Sequence, residues 1–152
     1  MPHRLIWAQL NNTKQPLVFY LISTIFAPLI FPTMQFQLSE EHLMIQRAAR
    51  DFAQNQCLPG VIERDEHQKF PKEQILQLAE LGFMGMMVDP KYGGGGMDTI
   101  SYVLAMEEIS KIDASVSVCM SVNNSLVCWG LEAFGSEEQK QKYLSPLAQG
   151  KK

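Results

Sequence analysis

Three groups of residues have types and spacing that could do chemistry. The first is Gly93-Gly94-Gly95-Gly96 ahead of Asp98. A glycine-rich loop that opens a helix can present backbone N–H groups to a phosphate. Such a cradle needs a preceding strand and a GxGxxG or Lys-Ser/Thr signature, and neither is present. A carboxylate at position 98 would also repel the anion, so a tight reversal with positive φ angles between packed helices fits these glycines better. The second group is Glu107-Glu108, a carboxylate pair of the kind used in acid–base work. Neighbours on a helix point in different directions and do not converge on one atom. The third is a stripe of small and polar side chains, Ser117, Ser121, Asn124, Ser125 and Cys128, recurring at helical spacing. Burying a polar group without a partner costs on the order of 1–3 kcal/mol. This stripe therefore needs hydrogen-bond partners, a tightly packed neighbour or a ligand cavity. No residue pairs with a second one as nucleophile and base, so no catalytic residue is assigned.

The stripe lies on residues 113–135, a run without proline. Val116, Met120, Val127, Leu131 and Phe134 fall on one face, and Val118, Val122, Leu126, Trp129 and Ala133 on another. A helix apolar all round is either a membrane span or the central helix of a helical domain. A span needs about 20 predominantly apolar residues. The adjacent Asn123 and Asn124, the serines and Glu132 argue instead for a buried helix of a soluble domain. Gly135 fits a C′ residue, and Ser136 to Gln139 a capping box opening the next, amphipathic helix towards Gln149.

The remaining punctuation is helical too. Ser39 is a good N-cap, with Ile45, Ala48, Ala49, Phe52 and Ala53 forming an apolar face up to the stop at Pro59-Gly60. A polar stretch from Glu63 to Lys69 leads to Pro71 at a first helical position, followed by Ile75, Leu78 and Ala79 and terminated by Gly82. Asp98 caps a helix to about residue 111, with Tyr102, Val103, Met106 and Ile109 inward. No stretch alternates with period two strongly enough to claim a strand. The fold class is all-α, a helical bundle around a long buried central helix. The methionines, Met84, Met86, Met87, Met97, Met106 and Met120, read as adaptable core filler.

Composition narrows the function classes. The 152 residues suit one domain, and a formal charge of −3 with scattered Lys and Arg gives no reason to expect nucleic acid. Cys57, Cys119 and Cys128 lack CxxC spacing, and His3, His42 and His67 are dispersed, so neither a disulfide framework nor a metal site is expected. The thiols read as reduced and structural, which sets the expectation of a reducing, cytoplasmic compartment. Residues 1–33 contain Arg4 and Lys14 but no acid, and carry an apolar run at 17–31 interrupted by Pro28. This leader reads as a mis-assigned start ahead of a domain over 34–152, with a signal or anchor as the alternatives.

Several motifs occur together in order. Phe36-Gln-Leu-Ser-Glu-Glu-His-Leu-Met-Ile45 is followed by Leu78-Ala-Glu-Leu-Gly82-Phe-Met-Gly and Val88-Asp-Pro90-x-Tyr92-Gly93-Gly94. Met106-Glu-Glu-Ile-Ser110, Asn124-Ser125-Leu126 and Gly135-Ser136-Glu-Glu-Gln139-Lys-x-Lys142-Tyr143-Leu144 complete the series. In these the chain resembles the N-terminal helical domain of acyl-CoA dehydrogenases, most of all the short-chain, butyryl-type members. The resemblance implies an FAD-dependent α,β-dehydrogenation of a short acyl-CoA thioester, in fatty-acid or amino-acid catabolism. It implies as partners a middle β-domain and a C-terminal helical domain, sister subunits in a homo-oligomer, and an electron-transfer flavoprotein. The family's catalytic Glu and main flavin-binding segment have no match among these residues, so the chain alone is expected to be inactive and to bind no FAD. By the same resemblance the central helix walls the acyl pocket through Ser115, Cys119, Val122 and Leu126. Spacing alone leaves open whether that side or the Ser117, Ser121 and Ser125 side meets ligand. The alternative function is a non-catalytic helical interaction module with the same fold.

Overall fold

The computed structural model describes residues 36–151, and the regular structure among them is entirely helical. The leader 1–33 and its apolar run lie outside the described residues.

Helix α1 (Glu40–Phe52) begins at Ser39, whose Oγ accepts from His42 N at 3.1 Å while His42 Nδ1 accepts from Ser39 N at 3.2 Å. The capping box is thus closed by a histidine in place of the usual Glu or Gln. The same imidazole reaches Asp98 Oδ2 through Nε2 at 2.8 Å. Helix α1 runs on into a wide turn, Ala53–Cys57, closed by Leu58 N donating five residues back to Ala53 O.

A short helix, α2 (Val61–Glu66), follows Gly60 at φ 74°. It overlaps the polar stretch from Glu63 to Lys69, for which no element was expected. With six residues and no buried side chain, it left no apolar periodicity to read. Its Arg64 guanidinium donates to the carbonyls of Cys57 and Pro59 and, at 2.9 Å, to Asp113 Oδ2. Pro71 is the N-cap of α3 (Lys72–Glu80), so the helix begins one residue later than expected. Gly82 follows that helix with φ 77°, as its role of terminator requires.

Helix α4 (Thr99–Ser110) is capped by Asp98, whose Oδ1 accepts from Ser101 N at 2.8 Å. That backbone donor, followed by His42, holds the Asp98 carboxyl down at about 2. Ile109 is buried as expected, but Val103, also expected inward, is exposed, and Ser101, Ala105 and Glu108 face the core. The reason is a charge partner on α1. Glu108 is 4% exposed and receives Arg50 Nε at 3.0 Å and Nη2 at 2.9 Å, with Gln46 Nε2 at 3.1 Å. A buried carboxylate is tolerated when paired in this way.

Helix α5 spans Ala114–Phe134 and is one long rod with a wide turn at Val122–Cys128. Gly135 follows it in an extended conformation rather than the left-handed one of a C′ glycine. Glycine is required there for another reason: a Cβ would lie 2.5 Å from Leu131 O. Helix α6 consists of Glu137–Gln139, Lys140–Leu144 and Ser145–Ala148 in succession. It opens with the expected capping box of Ser136 and Gln139.

The main core packs Ile45, Phe52, Leu78, Met86, Ile109 and Met120 between α1, α3, α4 and α5. Each fully buried side chain of this size contributes about 1.5–3 kcal/mol of transfer free energy. A second cluster, Val88, Tyr92, Cys128, Leu144 and Ala148, joins α5 to α6. Met84, Met86 and Met120 are buried, and Met97 and Met106 pack against them.

Candidate functional site

The glycine run uses its N–H groups internally. Gly95 N donates to Gly85 O at 2.8 Å, Gly96 N to Val88 O at 2.9 Å and Met97 N to Met86 O at 2.8 Å. Gly93 and Gly96 hold φ values of 85° and 58°, and a Cβ on Gly94 would sit 2.2 Å from Val88 O. The loop is therefore a close-packed backbone reversal, with these donors committed away from any anion. The Glu107 and Glu108 side chains also part: Glu108 turns inward to Arg50, while exposed Glu107 pairs with Lys111 at 3.1 Å. Arg50, which donates the hydrogen bonds, depresses the Glu108 carboxyl to about 2. The two carboxyl groups therefore do not converge on one substrate atom.

Helix α5 carries the remaining candidates, and it is two-sided. By length and composition alone it could cross a membrane, but one side is packed into this domain. Val116, Ser117, Met120, Asn124 and Cys128 are buried. Asn124 Oδ1 accepts from Met86 N at 2.8 Å, and Nδ2 donates to Phe83 O and Met120 O, both at 2.9 Å. Asn123 Nδ2 donates to Met84 O at 2.7 Å and Leu147 O at 3.2 Å. Ser117 Oγ bonds Ser110 Oγ, Ser121 Oγ accepts from Tyr102 OH at 3.0 Å, and Ser125 Oγ donates to Ser121 O at 2.8 Å. The serines and Asn124 of the stripe thus find their partners within the protein, on α4, on α5 itself and at residues 83–86.

The opposite side departs from the expectation of a helix buried all round. Val118, Val122, Leu126 and Trp129 are exposed, Leu126 at 67%. Ser115 is exposed as well and Cys119 half-buried, so the four expected wall residues share this open side. Ser115 and Cys119 line a cavity of about 310 Å³ with Arg64, Lys69, Phe70 and Pro71. Val118, placed in the sequence on the same apolar face as Val122 and Leu126, lies on this open side too, and that shared spacing was the available signal. Trp129 stacks edge-on to Phe134 with ring centroids 5.7 Å apart, extending the apolar surface to the end of the helix. Burial and the nearby Asp113 push the Cys119 thiol upward, and burial takes Cys128 to about 11 and Cys57 to about 12. All three thiols are free, and burial holds each towards the protonated form.

Comparison with known proteins gives this two-sided helix a context. Residues 39–151 match the family model for the acyl-CoA dehydrogenase N-terminal domain. The short-chain specific acyl-CoA dehydrogenase of Clostridium acetobutylicum is 40% identical over 119 residues, covering 78% of this chain and 31% of the relative. The mitochondrial short-chain specific enzyme of Bos taurus is 41% identical over 116 residues, covering 76% and 28%. The solved butyryl-CoA dehydrogenase of Megasphaera elsdenii superposes with a TM-score of 0.74 at 40% identity, over 78% of this chain and 32% of that one. The chain thus spans about a third of the length of the relatives it matches. Over residues 39–151 it belongs to the acyl-CoA dehydrogenase family, as that family's N-terminal helical domain.

Proposed function

We propose that this chain supplies the helical wall of an acyl pocket, through Ser115, Cys119, Val122 and Leu126 together with Val118, in an FAD-dependent dehydrogenase of short acyl-CoA thioesters working in a reducing, cytoplasmic compartment. The observation that carries this reading is the two-sidedness of α5. Its polar groups are satisfied inward, while an uncharged apolar strip is left open outward. That strip suits an acyl tail and does not suit the diphosphate of a dinucleotide, so these residues would contribute burial and shape. Flavin, when bound, supplies the acceptor for hydride. The base and the flavin-binding segment that the resemblance implies have no counterpart among residues 39–151. The isolated domain is therefore proposed to be inactive, working with middle and C-terminal domains, sister subunits and an electron-transfer flavoprotein.

The test is reconstitution. The purified chain is mixed with FAD, butyryl-CoA and a dye acceptor, with and without the remaining two thirds of the Clostridium acetobutylicum relative produced separately. The chain alone is expected to show neither flavin absorbance nor dye reduction, and the mixture to show both. Leu126→Lys, at an exposed position, should abolish the restored activity without altering the chain's own melting. A chain that turns yellow and reduces dye by itself would overturn the inactive reading. Full restoration by Leu126→Lys would overturn the wall.

A further inference from the structure

The open side of α5 has a centre. Val122 lies in the middle of it, with Val118 four residues before and Leu126 four after, Ser115 seven before and Trp129 seven after. Steps of four and seven return to nearly the same side of an α-helix, and all five residues are exposed. Glu132 is the one charged residue between Ala114 and Phe134, and its carboxylate accepts from Asp89 N at 2.9 Å. The strip is therefore uncharged, small at its Ser115 end and large at its Trp129 end.

Two such strips laid antiparallel complement each other. Val122 meets its own copy, Val118 meets Leu126, and Ser115 meets Trp129. Ser115 borders a cavity of about 310 Å³ with Phe70 and Pro71, so the largest side chain falls opposite open space. A parallel pair would instead set Trp129 against Trp129 and Ser115 against Ser115. The area suits a second copy as well. Val118, Val122, Leu126 and Trp129 are 42–67% exposed and Phe134 is 79% exposed, leaving roughly 500 Å² open per copy. Pairing removes about 1,000 Å², the lower bound for a specific interface. From Val118 to Trp129 the strip runs about 16 Å, more than a short acyl tail covers.

We propose that the outward strip of α5 is a self-association surface: two copies of this chain pack their strips antiparallel, at a shallow crossing angle, about a two-fold axis at Val122. The pair covers the same strip that the acyl-wall reading gives to ligand, so it is the form of the chain that is not engaged with further domains. The association itself rests only on exposure and spacing, not on the acyl-wall reading.

Sedimentation equilibrium of the full chain, without acyl-CoA or flavin, tests association separately from the wall. Between about 1 and 200 μM the mass should rise from 17.2 kDa towards twice that value. Val122→Glu sets two carboxylates against each other on the axis and should weaken association by about 100-fold, with the helical circular dichroism unchanged. Disulfide formation then reads the register. Cys119→Ser removes the native thiol nearest the strip, and variants of that chain each carry one new cysteine. Under mild oxidation Val122→Cys should link to its own copy. Val118→Cys and Leu126→Cys should each fail to link alone and should link when mixed. A chain that stays at 17.2 kDa at the highest concentration overturns the proposal, whatever covers the strip. So does a dimer that Val122→Glu leaves intact, or one in which Val118→Cys and Leu126→Cys each link to themselves, the mark of a parallel pair.

Discussion

Replacing Asn124 by alanine removes the side chain that holds α5 to the Phe83–Gly85 turn. Its amide makes three hydrogen bonds, to Met86 N, Phe83 O and Met120 O, at 2.8–2.9 Å in a site 1% exposed. Alanine leaves the Met86 N–H and the Phe83 carbonyl in the core without this partner. Each such group costs about 1–3 kcal/mol. The better helix propensity of alanine returns roughly 0.6 kcal/mol. The net expectation is a loss of about 2–5 kcal/mol, or on the order of 10–20 °C in melting temperature for a domain of this size. Urea unfolding at neutral pH is the assay: the midpoint should fall while the denaturant slope stays that of the parent, since the surface exposed on unfolding is nearly the same. Asn123→Ala is the comparison, because that side chain is half-buried and water can replace it at Met84 O and Leu147 O. It should cost about 1 kcal/mol. A loss below about 1 kcal/mol for Asn124→Ala, or equal losses at the two positions, would refute the assignment of Asn124 as the main clamp.

The acid limb of stability should trace to depressed carboxylates. Glu108 lies near 2 against an ordinary 4.5, so its contribution is complete above about 4.5 and is lost as pH falls towards 2. Glu108→Gln should therefore unfold at lower urea than the parent at pH 7, with the difference closing at acid pH; a gap that stays constant down to pH 2 would sink this account. Among the glycines, Gly94→Ala should cost about 1–3 kcal/mol because its Cβ meets a backbone carbonyl that cannot move aside. Gly130→Ala, in the last part of α5 with nothing within 4 Å of the added carbon, should stabilise by about 0.5–1 kcal/mol. Thermal melts of the two variants should shift in opposite directions.

Much of this molecule was legible because its caps are chemically explicit. Ser39, Asp98 and Ser136 each announced a helix start that the backbone N–H groups confirm. The glycine run read as a reversal because the residue types required for a phosphate cradle were missing. What could not be read was which side of α5 would be filled. Apolar residues on several sides suggest complete burial, yet the partners of the outward strip do not lie among the described residues. The inward position of Glu108 was equally hidden, since its charge is made tolerable only by Arg50, a partner 58 residues earlier. Short α2, with nothing buried, has no sequence signature at all.

Four polar ties of the first two helices reach far along the chain. His42 bonds to Asp98, Gln46 and Arg50 to Glu108, and Arg64 to Asp113, across 49 to 62 residues. During synthesis, α1 and α2 leave the ribosome long before any of these partners exists. The carboxylates that settle Arg50 and Arg64 arrive only with α4 and the start of α5, so early helices with an uncovered apolar face must wait for the middle of the domain. Helical content can precede that moment, but the native interlock cannot, and a pause in translation between residues 66 and 108 would prolong the interval in which that face is open to chaperones or to aggregation.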